Sequence, residues 1–167
     1  DGKVKKDYQI NGFVKNGKLN FLNQLNVNNL NLNFNIGKNK YSLAEVNTEI
    51  NEVPFSSPLI EINEKNNLFL IKGKILTKKK DFNRDQLSMM LVGFLKNPNI
   101  EKAKLNTEND ISFNVSKKLK FNDLKIKSKI NLDQLVLKNN FIDLKPYIPD
   151  LDKAINFENH EIIINYD

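Results

Sequence analysis

The 167-residue sequence has no cysteine and no tryptophan, a single histidine at His160 and a single arginine at Arg84. Without cysteine, disulfides and thiolate metal sites are excluded. General acid–base chemistry wants a desolvated carboxylate pair, or a histidine held by an orienting partner. The acids that stand out, such as Glu64, Asp81, Glu108 and Asp110, fall mostly in turns of the pattern. His160 lies between Glu158 and Glu161 near the start of a strand, where a solvated or capping role is the simpler reading. The six glycines are scattered, so no glycine-rich phosphate loop exists, and neither an HExxH nor an EF-hand pattern is found. Ser56-Ser57 lies beside Pro58 without the strand–turn–helix context of a nucleophile elbow and reads as a turn. The expectation is a chain that is not an enzyme and needs neither cofactor nor metal.

The near absence of arginine bears on charge. The net charge is +6 and the isoelectric point about 9.3, but all but one of the 26 basic residues are Lys. Arginine reads phosphates and base edges bidentately, and no basic cluster here is interleaved with stacking aromatics. Together with 29 Asn, the Lys excess looks like coding from an AT-rich genome, and no nucleic-acid partner is expected. No apolar run approaches the ~20 residues of a membrane-spanning helix, and no signal peptide is visible. The chain begins at Asp1 rather than Met, which reads as an internal section of a longer protein.

What is present is alternation. From Leu25 to Ile36 every residue is either apolar or Asn, with a period of two: the signature of a strand with one oily and one wet face. The parity slips once, at Asn28-Asn29. A bulge there returns Leu25 and Val27 to the side of Leu30, Leu32, Phe34 and Ile36. The same device recurs along the chain, which at 40% hydrophobic can bury a core. Tyr8, Ile10 and Val14 form a strand expected to turn at Asn16-Gly17, with Lys18 to Leu22 running back. Gly37-Lys38-Asn39 makes the next turn. Tyr41 to Ile50 is a strand whose parity slips near Ala44-Glu45. Pro54 and Pro58 bracket a segment read as a crossing or an edge, because proline cannot donate to a ladder. Leu59 to Asn63 and Leu68 to Leu76 are strands about the turn Glu64 to Asn67.

One segment breaks the period. From Asn83 to Leu95 the apolar residues Leu87, Met90, Leu91, Phe94 and Leu95 take helical spacing. Asn83 is the N-cap, Gln86 sits at the capping-box position, and Phe82 and Leu87 can staple across it. Asn97-Pro98 ends it. Gly93 inside costs about 1 kcal/mol against Ala, so the helix should lean on tertiary contact. Strands resume at Lys102 to Leu105, Ile111 to Val115, Lys118 to Phe121, Leu124 to Leu132 and Leu135 to Leu137. Pro146 and Pro149 make a long helix in the tail unlikely on steric grounds, and His160, Ile162, Ile164 and Tyr166 share one side of a last strand.

An internal repeat joins the two halves. Shifted by about 94 residues, Leu19-Asn20-Phe21 lies on Phe113-Asn114-Val115. Leu25, Val27, Leu30, Leu32 and Ile36 then lie on Leu119, Phe121, Leu124, Ile126 and Ile130. Asn26, Asn31, Asn33 and Asn35 become Lys120, Lys125, Lys127 and Lys129, and one apolar match fails, Phe34 against Ser128. The repeat keeps the oily side and lets the polar side drift. Two architectures remain open: a closed sandwich or barrel with an ordinary core, serving as an envelope scaffold or adhesion module, or one long twisted sheet whose apolar wall stays available to ligand.

The Asn/Lys-decorated alternating strands, the near-Leu-x-Val/Phe-Asn-Asn/Asp-Leu-x-Leu/Ile unit seen twice, the Phe82-Asn-Arg-Asp-Gln-Leu87 helix and the closing Leu144-Lys-Pro-Tyr-Ile-Pro-Asp-Leu151 to His160 segment together resemble the AsmA-like superfamily, notably its large YhdP- and TamB-like members. That resemblance implies a mainly β fold, a long twisted antiparallel sheet curled into an open groove (a repeating β-groove) with one short helix around 83–96. It divides the chain into a first groove section over 1–80, an interposed helix over 81–98 and a second section over 99–167, all one continuous domain. It implies a periplasmic protein anchored in the inner membrane through parts not present here. Its trough would carry phospholipid acyl chains toward the outer membrane. The residues then expected to line the trough are Leu19, Phe21, Leu25, Val27, Leu30, Leu32, Phe34, Ile36, Phe113, Val115, Leu119, Phe121, Leu124, Ile126 and Ile130.

Overall fold

A computed structural model describes residues 7–21, 25–90, 100–137 and 155–167. The alternation becomes eight strands and one helix: β1 (Gln9–Phe21), β2 (Leu25–Gly37), β3 (Lys40–Ile50), β4 (Val53–Lys65), β5 (Leu68–Asn83), α1 (Arg84–Met90), β6 (Ile100–Ser116), β7 (Phe121–Leu137) and β8 (Ile155–Tyr166). All eight strands form a single antiparallel sheet in sequence order, and it does not close into a barrel. Among the described residues there is no second sheet.

Left-handed asparagines punctuate the strands. Asn51 and Glu52 both have positive φ between β3 and β4, as do Asn66 and Asn67 between β4 and β5, the backbone that a tight antiparallel hairpin needs. Asn29 (φ 52°) marks the parity slip in β2, and Glu45 (φ 53°) the slip in β3. Both sit at or beside breaks in the β2–β3 register, so each slip is a bulge. The second repeat carries the same feature: Asp123, 94 positions after Asn29, has φ 53°. The repeat therefore extends to backbone geometry. In the first copy an extra residue restores the apolar side chains to one face.

Several expectations are corrected. Ser56-Ser57 is not a turn but part of β4, Glu64, Asp81, Glu108 and Asp110 all fall within strands, and residues 118–120 connect β6 to β7 instead of forming a strand. Asn16-Gly17 is not a turn: β1 runs through it to Phe21, with register shifts on either side of Gly17. A two-residue hairpin of that kind needs two left-handed residues, and Asn16 alone supplies one, which makes a bulge. The prolines mark neither an edge nor a crossing, since β4 is an interior strand. Pro54 pairs with Glu49 next to the β3–β4 turn. Pro58 falls where the β4–β5 register breaks. Both are places where a missing N–H is tolerated.

The helix begins as its sequence requires. Asn83 Oδ1 accepts from the Gln86 N–H at 2.9 Å, and Gln86 Oε1 accepts from the Asn83 N–H at 3.3 Å, a reciprocal capping box. Phe82 and Leu87, the staple pair, are 1% and 3% exposed. The positions expected to continue the helix, Leu91, Phe94 and Leu95, and the Pro146–Pro149 segment lie outside the described residues.

The chain forms two compact units. One comprises Asp1–Thr77, Glu108–Ser128 and Ile163–Asp167, the other Lys78–Thr107 and Lys129–Ile162. The second holds most of the closed core: Phe82, Leu87, Ile100, Ala103, Leu105, Leu132 and Val136 are buried. Among the described residues of the first unit only Val46, Val53 and Val115 are buried hydrophobics, although it contains most of β1–β5.

Candidate functional site

The first unit carries a broad apolar wall, which the register places row by row. Residues paired across antiparallel strands share a face. Ile10, Ile36, Tyr41, Ile62 and Ile71 are successive partners across β1–β5 and make one row. Gly12, Phe34, Leu43, Ile60 and Gly73 make the next. Val14 and Leu32 begin a third. Ile10 is exposed, and Leu32, Phe34, Ile36, Leu43, Ile60, Ile62 and Ile71 are half-buried, none fully so.

The two glycines shape this wall. A Cβ on Gly12 would lie 2.2 Å from Phe34 Cζ, and one on Gly73 would lie 3.1 Å from Ile60 Cγ1. Phe34 therefore lies down over β1, and Ile60 leans over β5. Both lean away from Leu43 on the central strand β3. Glycine at either end of the row thus makes room for a large side chain from the neighbouring strand. The signal was in the sequence as glycine standing in apolar register, Ile10-x-Gly12-x-Val14 and Ile71-x-Gly73-x-Ile75. It is easily lost when the glycines are merely counted.

The expected lining residues fall into three groups. Val27, Leu30, Leu32, Phe34 and Ile36 occupy one face of β2, and Leu19 pairs with Val27. Phe21 and Leu25 are paired in register, their side chains lying outside the described ones. In the second copy, Phe113 and Phe121 meet with ring centroids 5.7 Å apart. Leu119 and Phe121 are 76% and 69% exposed and Leu124 is 42% exposed. Ile126 is half-buried in the first unit, as is Ile130 in the second. Val115 departs from the group, at 8% exposed. Tyr41, Leu43, Ile60, Ile62 and Ile71 belong to the wall but were not among the expected lining residues.

A polar cluster bounds the wall where the β2–β3 and β4–β5 turns lie. Tyr41 Oη donates to Glu64 Oε2 at 3.5 Å, Lys117 Nζ lies 3.1 Å from Glu64 Oε1, and the Phe69 ring is 6.5 Å from that of Tyr41. Desolvation raises the Tyr41 phenol above its ordinary value, and the nearby Glu64 carboxylate adds to the shift.

The opposite face is knit by its own side chains. Asn35 donates to Asn11 Oδ1 at 2.7 Å, Asn33 to Glu45 Oε2 at 2.8 Å and Asn29 to Glu49 Oε2 at 3.2 Å. In the second copy Lys129 pairs with Glu161 at 2.8 Å and Lys125 with Asp167 at 3.5 Å. An open depression of about 410 Å³ on this side is bordered by Asn11, Phe13, Asn33, Asn35 and Ser42. His160 lies exposed on β8, its ring 6.0 Å from that of Phe157.

Compared with protein-family models, with curated proteins and with solved structures, the chain finds no significant match.

Proposed function

We propose that the chain is a non-enzymatic lipid-binding section whose apolar wall holds phospholipid acyl chains on their way between the inner and outer membranes, in a periplasmic protein anchored in the inner membrane. The observation that carries this reading is the wall itself: apolar rows continuous across five strands of one unclosed sheet. Apolar surface of that extent usually marks a binding surface. The left-handed backbone repeated at Asn29 and Asp123 supports it, because it falls at the parity slip of the alternation in both copies. Each buried methylene contributes about 0.8 kcal/mol. An acyl chain of ~14 methylenes held half-dry on such a wall keeps a large part of what a bilayer gives it, without binding so tightly that it cannot leave. Tyr41, Glu64 and Lys117 offer the headgroup hydrogen bonds and charge at the watered end.

The test is photocrosslinking in phospholipid vesicles. A photoreactive side chain at Leu32 or Ile126 is expected to capture phospholipid, and one at Asn33 or Lys127, on the opposite face, to capture little. Equal capture from both faces would refute the reading.

A further inference from the structure

Among the described residues Leu119 is the most exposed large hydrophobic, at 76%, and Phe121, two residues on, is 69% exposed. They belong to the β6–β7 connection, in the run Lys117-Lys118-Leu119-Lys120-Phe121. A sheet in sequence order puts the β2–β3, β4–β5 and β6–β7 turns at one end, and Glu64 ties the three together within the first unit. Its N–H donates to the Asn39 carbonyl oxygen at 2.8 Å, and its Oε1 lies 3.1 Å from Lys117 Nζ. Lys38, Lys40, Lys65, Lys118 and Lys120 are exposed on these turns, as is Leu68 beside the second of them. The β3–β4 turn, at the other end, is Asn51-Glu52 and carries no lysine.

Leucine is also an unexpected residue for this backbone. Leu119 has φ 56°, and every other described non-glycine residue with positive φ is Asn, Asp or Glu. Short polar side chains visit that region with help from local hydrogen bonds, which leucine cannot make. The turn is nonetheless firmly closed on Ser116. Its N–H donates to the Lys120 carbonyl oxygen at 3.0 Å, its own carbonyl oxygen accepts from the Leu119 N–H at 2.8 Å, and its Oγ accepts from the Lys120 N–H at 3.1 Å. An apolar side chain is thus held out into water by a fixed turn, among ammonium groups, at a cost to the fold. Strain retained in this way points to a use outside the fold.

We propose that this end of the first unit docks on an anionic phospholipid surface, with Leu119 and Phe121 entering the boundary between headgroups and acyl chains while the surrounding lysines pair with lipid phosphates. Charge and exposure together select that partner. A bilayer of anionic lipid is negative at its surface and oily just beneath, which matches apolar side chains flanked by lysine. A nucleic acid would satisfy the lysines through its phosphates but offers an exposed leucine nothing. Docking of this kind is independent of what the wall holds.

Flotation with vesicles tests this without touching a buried residue. The wild-type chain should float with vesicles of phosphatidylcholine and phosphatidylglycerol, and little with phosphatidylcholine alone. Lys118→Glu/Lys120→Glu should weaken binding by about fivefold or more for each lysine lost. Leu119→Asn suits the left-handed backbone, so it should raise the urea midpoint, and combined with Phe121→Thr it should cut vesicle binding about tenfold or more. A residue kept for the fold alone would not show gains and losses of opposite sign. Leu32→Asp/Ile126→Asp, which alters the wall, should still float with anionic vesicles. The proposal is overturned by a wild-type chain that ignores anionic vesicles or binds both kinds equally. A Leu119→Asn/Phe121→Thr variant that binds as wild type also overturns it, since the tip is then a patch for any polyanion. So does a lower urea midpoint for Leu119→Asn, or loss of flotation in the folded wall variant, which would place the contact on the wall instead.

Discussion

The sharpest consequence of one unit with an open wall and another with a closed core is that two leucines on one strand should differ severalfold in what they contribute. Leu124 and Leu132 both lie on β7, eight residues apart, yet Leu124 is 42% exposed and Leu132 is 5% exposed. Fully burying a leucine is worth about 1.5–3 kcal/mol. With more than a third of its surface still in water, Leu124→Ala should cost about 1 kcal/mol. Leu132→Ala also leaves a cavity that its neighbours fill only in part, and should cost about 2–5 kcal/mol. Lysine widens the gap. At 124 the stem can lie along the wall with its ammonium in water, so Leu124→Lys should fold. At 132 an unpaired charge is buried, and Leu132→Lys should not yield soluble folded protein. Urea titration followed by circular dichroism reads each midpoint at a common slope. If Leu124→Ala and Leu132→Ala lose equal stability, the wall is an ordinary core and the reasoning from exposure fails.

Other consequences are brief. Gly12→Val forces the Phe34 ring off β1, at about 1–3 kcal/mol, and shows in NMR as lost contacts between the ring and residue 12. Gly12→Val combined with Phe34→Ala should recover most of that loss. Asn29→Val and Asp123→Val each place a β-branched residue at positive φ and should each cost about 1–3 kcal/mol by urea titration, whereas Asn29→Gly should be nearly neutral. Tyr41, whose phenol is raised by desolvation and Glu64, loses its proton later in the folded chain than in the unfolded one. Stability therefore falls as the pH rises past the ordinary phenol value, until the raised folded value is passed. Tyr41→Phe should remove that part of the alkaline loss in thermal unfolding measured across the range.

The legible parts of the fold were those written as strict periodicity. The Leu25–Ile36 alternation, its slip at Asn28-Asn29 and the 94-residue repeat became β2, a bulge and an equivalent left-handed residue at Asp123. The Asn83–Gln86 capping box is present as the residue types require. Asn16-Gly17 misled because one left-handed asparagine serves a bulge as well as a turn, and only the neighbouring strand decides which. The prolines misled for a related reason: a register break inside a sheet absorbs a missing donor as readily as an edge does. The wall was only half legible. Its β1–β2 rim was identified from alternation, but Tyr41, Leu43, Ile60, Ile62 and Ile71 join it through cross-strand register, which a single sequence does not contain. The roles of Gly12 and Gly73 rest on which side chain lies opposite, and that too is a property of pairing.

The proposal of a lipid-carrying wall is tested most directly by mass spectrometry of lipid extracted from the chain purified without detergent. Phospholipid is expected in stoichiometric amount with the wild-type chain and should be lost from a folded variant carrying Leu32→Asp and Ile126→Asp. A folded wild-type chain that carries no phospholipid and takes none from vesicles would contradict it.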